Sequence, residues 1–147
     1  MRKGHSMPTE LSVRATQEGG MRFSITARGH SVITDYPLQP EDQGAGMRSL
    51  ELLLASLASC AGGSLVVLLR KLQQPAQGVE VNARAVRRDQ HPTVLTEIEM
   101  EFVVRGAGLD RDVVSQALAR AEEQLCPVWA MLKGGTPITY TLRIVQQ

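Results

Sequence analysis

Two cysteines, Cys60 and Cys126, are the side chains of this sequence best suited to chemistry. A thiol attacks only as its thiolate, and its reactivity follows the charges and dipoles around it. Cys60 sits among Ala58, Ser59, Ala61 and Gly62, residues small enough to leave room around a sulfur. That setting fits a buried packing cysteine as well as a reactive one. Cys126 directly precedes Pro127. This order places it at the N-cap of a short helix, where unpaired N–H groups and the positive dipole end favour a thiolate. A small apolar residue at a helix junction is the competing reading.

Glu51 lies two residues past Ser49, the expected N-cap of a long helix. Its carboxylate either complements the helix dipole or faces inward and orients an arginine through charge-assisted hydrogen bonds. Arg22, just after the Gly19-Gly20 pair, is the candidate partner, with Arg28 and Arg48 competing for the role. The alternative for Arg22 is a solvated arginine on the polar face of a hairpin. His5, His30 and His91 make no metal-ligand spacing with one another or with the cysteines, so no metal site is expected. Ser56, Ser59 and Ser64 lack the Gly-x-Ser-x-Gly elbow of acyl transfer. No glycine-rich phosphate loop follows a strand.

The elements that must position these groups fit in one domain, since 147 residues can bury a core without staples. Residues 1–10 read as a tail and 11–147 as the domain. Sixteen basic residues against 15 acidic ones give a net charge of +1, and aromatics make up only 3%. That balance argues against nucleic acid as a partner. The opening MRKGHSMPTE has two basic residues with no apolar run behind them. It is not a secretory signal, and a cytoplasmic location is expected. In a reducing compartment, two distant cysteines suit a transient redox pair better than a permanent staple.

Leu11, Val13 and Ala15 alternate with polar residues, as do Met21, Phe23, Ile25 and Ala27 after the glycine pair, predicting a hairpin with one buried face. A third short strand is expected over 30–35. From Ser49 to Leu72 leucines fall all around a helix, which predicts burial on nearly every side. Leu52 to Leu69 carries no charge, but Ser56, Ser59, Gly62, Gly63 and Ser64 dilute it. A core helix of about 35 Å is therefore favoured over a membrane span. Alternation at 79–85 and 94–104 predicts two long strands with a turn at 89–92. Asp110 caps an amphipathic helix carrying Val113, Val114, Ala117, Leu118, Ala121 and Leu125 at helical spacing. Cys126-Pro127 breaks it, a short helix runs to Lys133, and Ile138 to Ile144 form a last strand. Hairpins separated by helices indicate an α+β fold with mostly antiparallel pairing.

The segment from Gly46 to Cys60, GMRSLELLLASLASC, resembles the central-helix motif of the OsmC/Ohr family, where a glutamate and a small, apolar run lead to a peroxidatic cysteine. The resemblance extends to GGMRF at 19–23, DYP at 35–37, LCP at 125–127 and the strand from Pro137 to Ile144. Ser49 stands where the family often has proline, and the spacing of Glu51 to Cys60 resembles the OsmC-like branch more than Ohr proper. The resemblance implies an intertwined homodimer, with antiparallel sheets around long buried central helices and active sites at the subunit interface. It also implies a cysteine-based peroxidase acting on organic hydroperoxides, with hydrogen peroxide as a further candidate substrate. Cys60 matches the attacking thiolate and Cys126 its disulfide partner. Arg22 matches the arginine that stabilises the thiolate, and Glu51 the residue that holds that arginine. A small-molecule peroxide and an external dithiol reductant are the implied partners, with no membrane. Two other functions fit the same scaffold: a non-catalytic dimer binding a small apolar ligand, and a redox sensor.

Overall fold

The Gly19-Gly20 pair turns the chain as expected, both residues taking positive φ, 136° and 54°. Residues with side chains rarely enter that region. In the computed structural model, which describes residues 9–147, this turn joins β1 (Arg14–Gly19) to β2 (Arg22–Ala27). β3 (His30–Thr34) completes a three-stranded antiparallel sheet in the order β1-β2-β3. The tail expected over residues 1–10 lies outside the described residues as far as position 8, and His5 with it.

The first strand begins at Arg14 rather than at Leu11, and Leu11 and Val13 precede it, exposed. β1 has a neighbour on one side only and is exposed along its whole length. The covered side of the hairpin is therefore confined to positions such as Phe23, Ile25 and, on β3, Val32. After β3, Gly46 passes so close to Ile33 that a Cβ would overlap its carbonyl oxygen. A Thr34–Met47 bridge ties the segment down there.

α1 (Ser49–Lys71) follows. Arg48, not Ser49, is its N-cap: the Leu52 N–H donates to the Arg48 carbonyl at 3.0 Å, and the Arg48 N–H donates to Glu51 Oε1 at 3.0 Å. A glutamate at the third helical position reaching back to the cap N–H is one half of a capping box. It moves the cap one residue ahead of the expected place.

Contacts divide the chain into two compact units, one ending at Leu52 and the other running from Leu53. In the second, Leu57, Ala61, Leu65, Leu68 and Leu69 of α1 pack into one core with Ile98, Met100, Phe102 and Val104. These four lie on β5 (Leu95–Gly106), which pairs antiparallel with β4 (Gly78–Arg87). A Cβ on Gly62 would stand 3.1 Å from Val81 Cγ2, so this glycine lets β4 pack closely against α1. The expectation of burial on nearly all sides does not hold within one chain: Leu53 is 36% exposed, Val67 46%, and Ser56, Ser59 and Gly63 are exposed on the same stripe. By length and composition α1 could also cross a membrane.

The second half of the unit carries α2 (Arg111–Arg120), a π-helical turn over Ala121–Leu125, α3 (Pro127–Leu132) and β6 (Ile138–Gln146). The Asp110 carboxylate accepts from the N–H groups of Asp112 and Val113, capping α2 as expected. β6 joins β5 in parallel, a departure from antiparallel pairing. The reason is the connection, since a parallel pair needs a crossover of a dozen or more residues and these helices supply it.

Candidate active site

Cys60 and Cys126 come together: the Cys126 thiol donates to Cys60 Sγ at 3.1 Å, and both cysteines are free. A disulfide bond is about 2.05 Å, so the sulfurs need to close by only about 1 Å to be joined. Cys60 packs at the edge of the core and stays partly exposed, whereas Cys126 is 1% exposed.

The π-helical turn is what delivers Cys126. In regular α-helix the residue one turn beyond Ala121 on the core face is Leu125. Here the Cys126 N–H donates to the Ala121 carbonyl at 2.9 Å, five residues back. That one-residue expansion puts Cys126 under Ala121 and turns Leu125, expected on the buried stripe, outward to 43% exposure. Such turns recur at functional sites.

Cys126 is the N-cap of α3, as expected, with Pro127 in the first turn and the Trp129 N–H donating to Cys126 Sγ at 3.4 Å. The expected electrostatic consequence is corrected. Burial pushes the Cys126 thiol above its ordinary pKa, and the hydrogen bond it donates to Cys60 pushes the same way. The N–H groups of Trp129 and Val128 pull it down but do not win. Desolvation of a thiolate outweighs the end of a short helix. Cys126 is thus the protonated partner that donates, and Cys60 the sulfur that receives.

Trp129, absent from the expected site, backs Cys126. Its ring is fully buried, stacks on Phe102 at 5.9 Å and meets Tyr140 edge-on at 5.5 Å. Among the described residues its indole N–H has no hydrogen-bond partner. Burial raises the pKa of the Tyr140 phenol, and the nearby Glu122 and Glu123 add to that shift.

Arg22 and Glu51 have other partners than each other. Among the described residues no ion pair joins them. Arg22 Nε stands 3.4 Å from Asp35 Oδ2, with the arginine half exposed and the aspartate largely covered. The Asp35 carboxyl lies below its ordinary pKa chiefly because the Ala45 N–H donates to it at 3.0 Å, with Arg22 adding to the effect against burial. Glu51 serves the cap of α1, as in the dipole reading of its role. Arg48 lies over the Tyr36 ring, 5.0 Å from its centre. Arg28 occupies the β2–β3 turn with φ 52°.

No group of three His, Cys, Asp or Glu able to hold a metal ion occurs among the described residues. An open groove of about 440 Å³ lies elsewhere, lined by Arg84, Glu97, Glu99 and Thr139. Arg84 and Glu99 are ion-paired there at 2.9 Å, and the groove holds no thiol.

The family model for OsmC-like proteins matches residues 41–141. Protein YhfA of Escherichia coli strain K12 is 27% identical over 128 residues, covering 87% of this chain and 92% of YhfA. The crystal structure of an OsmC-like protein from Mycoplasma pneumoniae has a TM-score of 0.84 at 15% identity, over 95% of this chain and 99% of that one. The organic hydroperoxide resistance protein OhrB of Bacillus subtilis has a TM-score of 0.66 at 21% identity, over 92% of this chain and 98% of OhrB. At these identities the two structures establish a common fold.

Proposed function

The chain belongs to the OsmC-like protein family, and from that premise we propose that it is a thiol-dependent peroxidase that reduces organic hydroperoxides through Cys60 and Cys126. The observation that carries this reading is the pair of free thiols 3.1 Å apart, one partly exposed and one buried.

The partly exposed member, Cys60, is the one assigned to the peroxide. The Cys60 thiolate attacks an oxygen of the hydroperoxide, the O–O bond breaks, and the alcohol leaves after taking a proton. Cys60 is then a sulfenic acid. The Cys126 sulfur attacks it, the disulfide forms, and the hydroxyl leaves as water with the Cys126 proton. Two thiols and one peroxide become one disulfide, one alcohol and one water. Proximity is the chief contribution of the fold, since a thiol already in contact traps the sulfenic acid before a second peroxide arrives. An external dithiol restores both thiols by exchange.

Arg22, which pairs with Asp35, is the cation proposed to favour the Cys60 thiolate, as the family resemblance implies. Glu51 precedes Cys60 on α1 by about 13 Å of helical rise. It therefore acts on the sulfur only through an arginine or through the start of the helix. The exposed stripe of α1, with Leu53 and Val67 flanking Ser56, Ser59 and Gly63, supports a homodimer in which a second copy covers it. Small residues there permit close approach of another helix. The proposed setting is the cytoplasm, where dithiol reductants are available.

The test is steady-state consumption of cumene hydroperoxide and hydrogen peroxide with a dithiol supplied. Repeated turnover that is lost in Cys60→Ser supports the enzyme. A single oxidation without turnover supports a redox sensor instead, and inert thiols support a ligand-binding dimer.

A further inference from the structure

Trp129 takes no part in the chemistry of the cycle just described, yet its ring is fully buried and stacked on two others in the same helical turn that Cys126 caps. We propose that Trp129 is a positioning residue: its ring fixes the first turn of α3 and thereby holds Cys126 Sγ within closing distance of Cys60. This rests on the peroxidase reading above and adds the group that makes its second step fast.

α3 spans only Pro127–Leu132, too short to be stable by its own hydrogen bonds. Its place must come from packing. Trp129 supplies that packing, stacked within 12° of parallel on Phe102 of β5 and nearly perpendicular to Tyr140 of β6. The same residue donates its backbone N–H to Cys126 Sγ at 3.4 Å, so the ring and the sulfur are tied through one turn of chain. Cys126 is held at its other polar groups too, its N–H by the Ala121 carbonyl and its carbonyl by the Ala130 N–H. Among the described residues the indole N–H is buried without a partner, so no polar bond from them fixes this ring, and its size and stacking are what place it.

Loss of the ring loosens the turn and lets Cys126 drift. The first oxidation belongs to Cys60 and does not change. The closing step slows, and the waiting sulfenic acid is open to a second peroxide and to sulfinic acid. A ring that only stabilised the fold would not separate the two steps.

The experiment follows both steps by rapid mixing, acid quench and intact mass, on reduced wild type, Trp129→Ala and Trp129→Phe. With cumene hydroperoxide, Trp129→Ala is expected to keep the first step within about twofold and to slow closure by about tenfold or more, the scale of a small misplacement. Sulfinic acid should accumulate on Cys60. Trp129→Phe, which keeps a ring and removes the orphan N–H, should close within about threefold of wild type. Closure in folded Trp129→Ala as fast as in wild type overturns the proposal. Diamide closes the same disulfide without any peroxide. If peroxide leaves wild type unoxidised, the peroxidase reading fails, and the diamide closure rates still decide the role of Trp129.

Trp129 is also the only tryptophan in the chain, which gives a test that needs no substitution of it. Its emission should change with the rate of closure and not with sulfenic acid formation, and the change should vanish in Cys126→Ser. Emission indifferent to closure counts against the proposal even if Trp129→Ala does not fold.

Discussion

Cys126 donates its thiol proton to Cys60 Sγ across 3.1 Å, although the two residues stand 66 positions apart in the chain. The contact is unequal. Cys60 is a partly exposed residue, whereas Cys126 is buried at the cap of a helix with its pKa raised. In the proposed cycle that inequality suits the more accessible residue to the peroxide and the hidden one to the disulfide.

It also predicts unequal labelling. Iodoacetamide at pH 8, followed by peptide mass mapping, should modify Cys60 and leave Cys126 largely untouched until the protein is unfolded. In Cys60→Ser, the residual labelling of Cys126 should keep rising above about pH 8.5. Burial, the larger cause of its raised pKa, remains in that variant, so the thiolate forms only beyond the ordinary thiol range. A plateau at the ordinary value would count against the protonated partner.

The Asp35 carboxyl lies below its ordinary pKa through the Ala45 N–H first and Arg22 second. A depressed carboxyl stabilises the fold fully above its unfolded pKa of about 3.9 and loses that contribution as pH falls through the folded value. Asp35→Asn should therefore lower thermal stability at pH 6, with the gap to wild type narrowing toward pH 3. At neutral pH the same variant should slow oxidation of Cys60 less than Arg22→Ala does, because it frees the arginine without removing it.

Glu51 separates structure from chemistry. Glu51→Ala should cost about 0.5–1 kcal/mol in unfolding experiments, from the lost bond to the Arg48 N–H and the lost charge at the helix start. Glu51→Gln can keep the bond to the cap. A Gln variant of near wild-type stability with at least a tenfold slower peroxide reaction would give the carboxylate an electrostatic role in the site. An unchanged rate would leave it as a cap alone.

Val67 sits on the exposed stripe of α1 at 46% exposure. In a homodimer joined through this stripe, Val67→Glu places a charge in a helix contact and should shift sedimentation from dimer to monomer at micromolar concentration. An unaltered dimer would mean that the two copies meet elsewhere.

Much of this was legible in the residues. The glycine pair, the Asp110 cap and the Cys126-Pro127 break each have a local physical signature, and each lies where expected. The two cysteines suited a redox pair by compartment alone, but only the family resemblance assigned them to one site, because nothing local brings residues 60 and 126 together. The π-helical turn was hidden: Ala121 and Leu125 keep perfect α spacing, and only the tertiary fit shows that Cys126 takes the inner position. Trp129 read as part of a short helix because stacking on Phe102 and Tyr140 depends on strand register. The parallel placement of β6 was hidden for a similar reason, since alternation marks a strand and leaves its direction open. Asp35 was visible as part of a DYP approach, but its hold on Arg22 needed the fold of the loop from Glu41 to Gly46.

The most direct measurement is stoichiometric. Reduced protein receives one equivalent of cumene hydroperoxide, and intact mass, free thiol and alcohol product are followed together, with Cys60→Ser and Cys126→Ser alongside. Wild type should lose both thiols and about 2 Da for each alcohol formed, Cys126→Ser should stop at an oxidised Cys60, and Cys60→Ser should do nothing. Alcohol formed without thiol loss, or equal activity in Cys60→Ser, would contradict the proposed cycle.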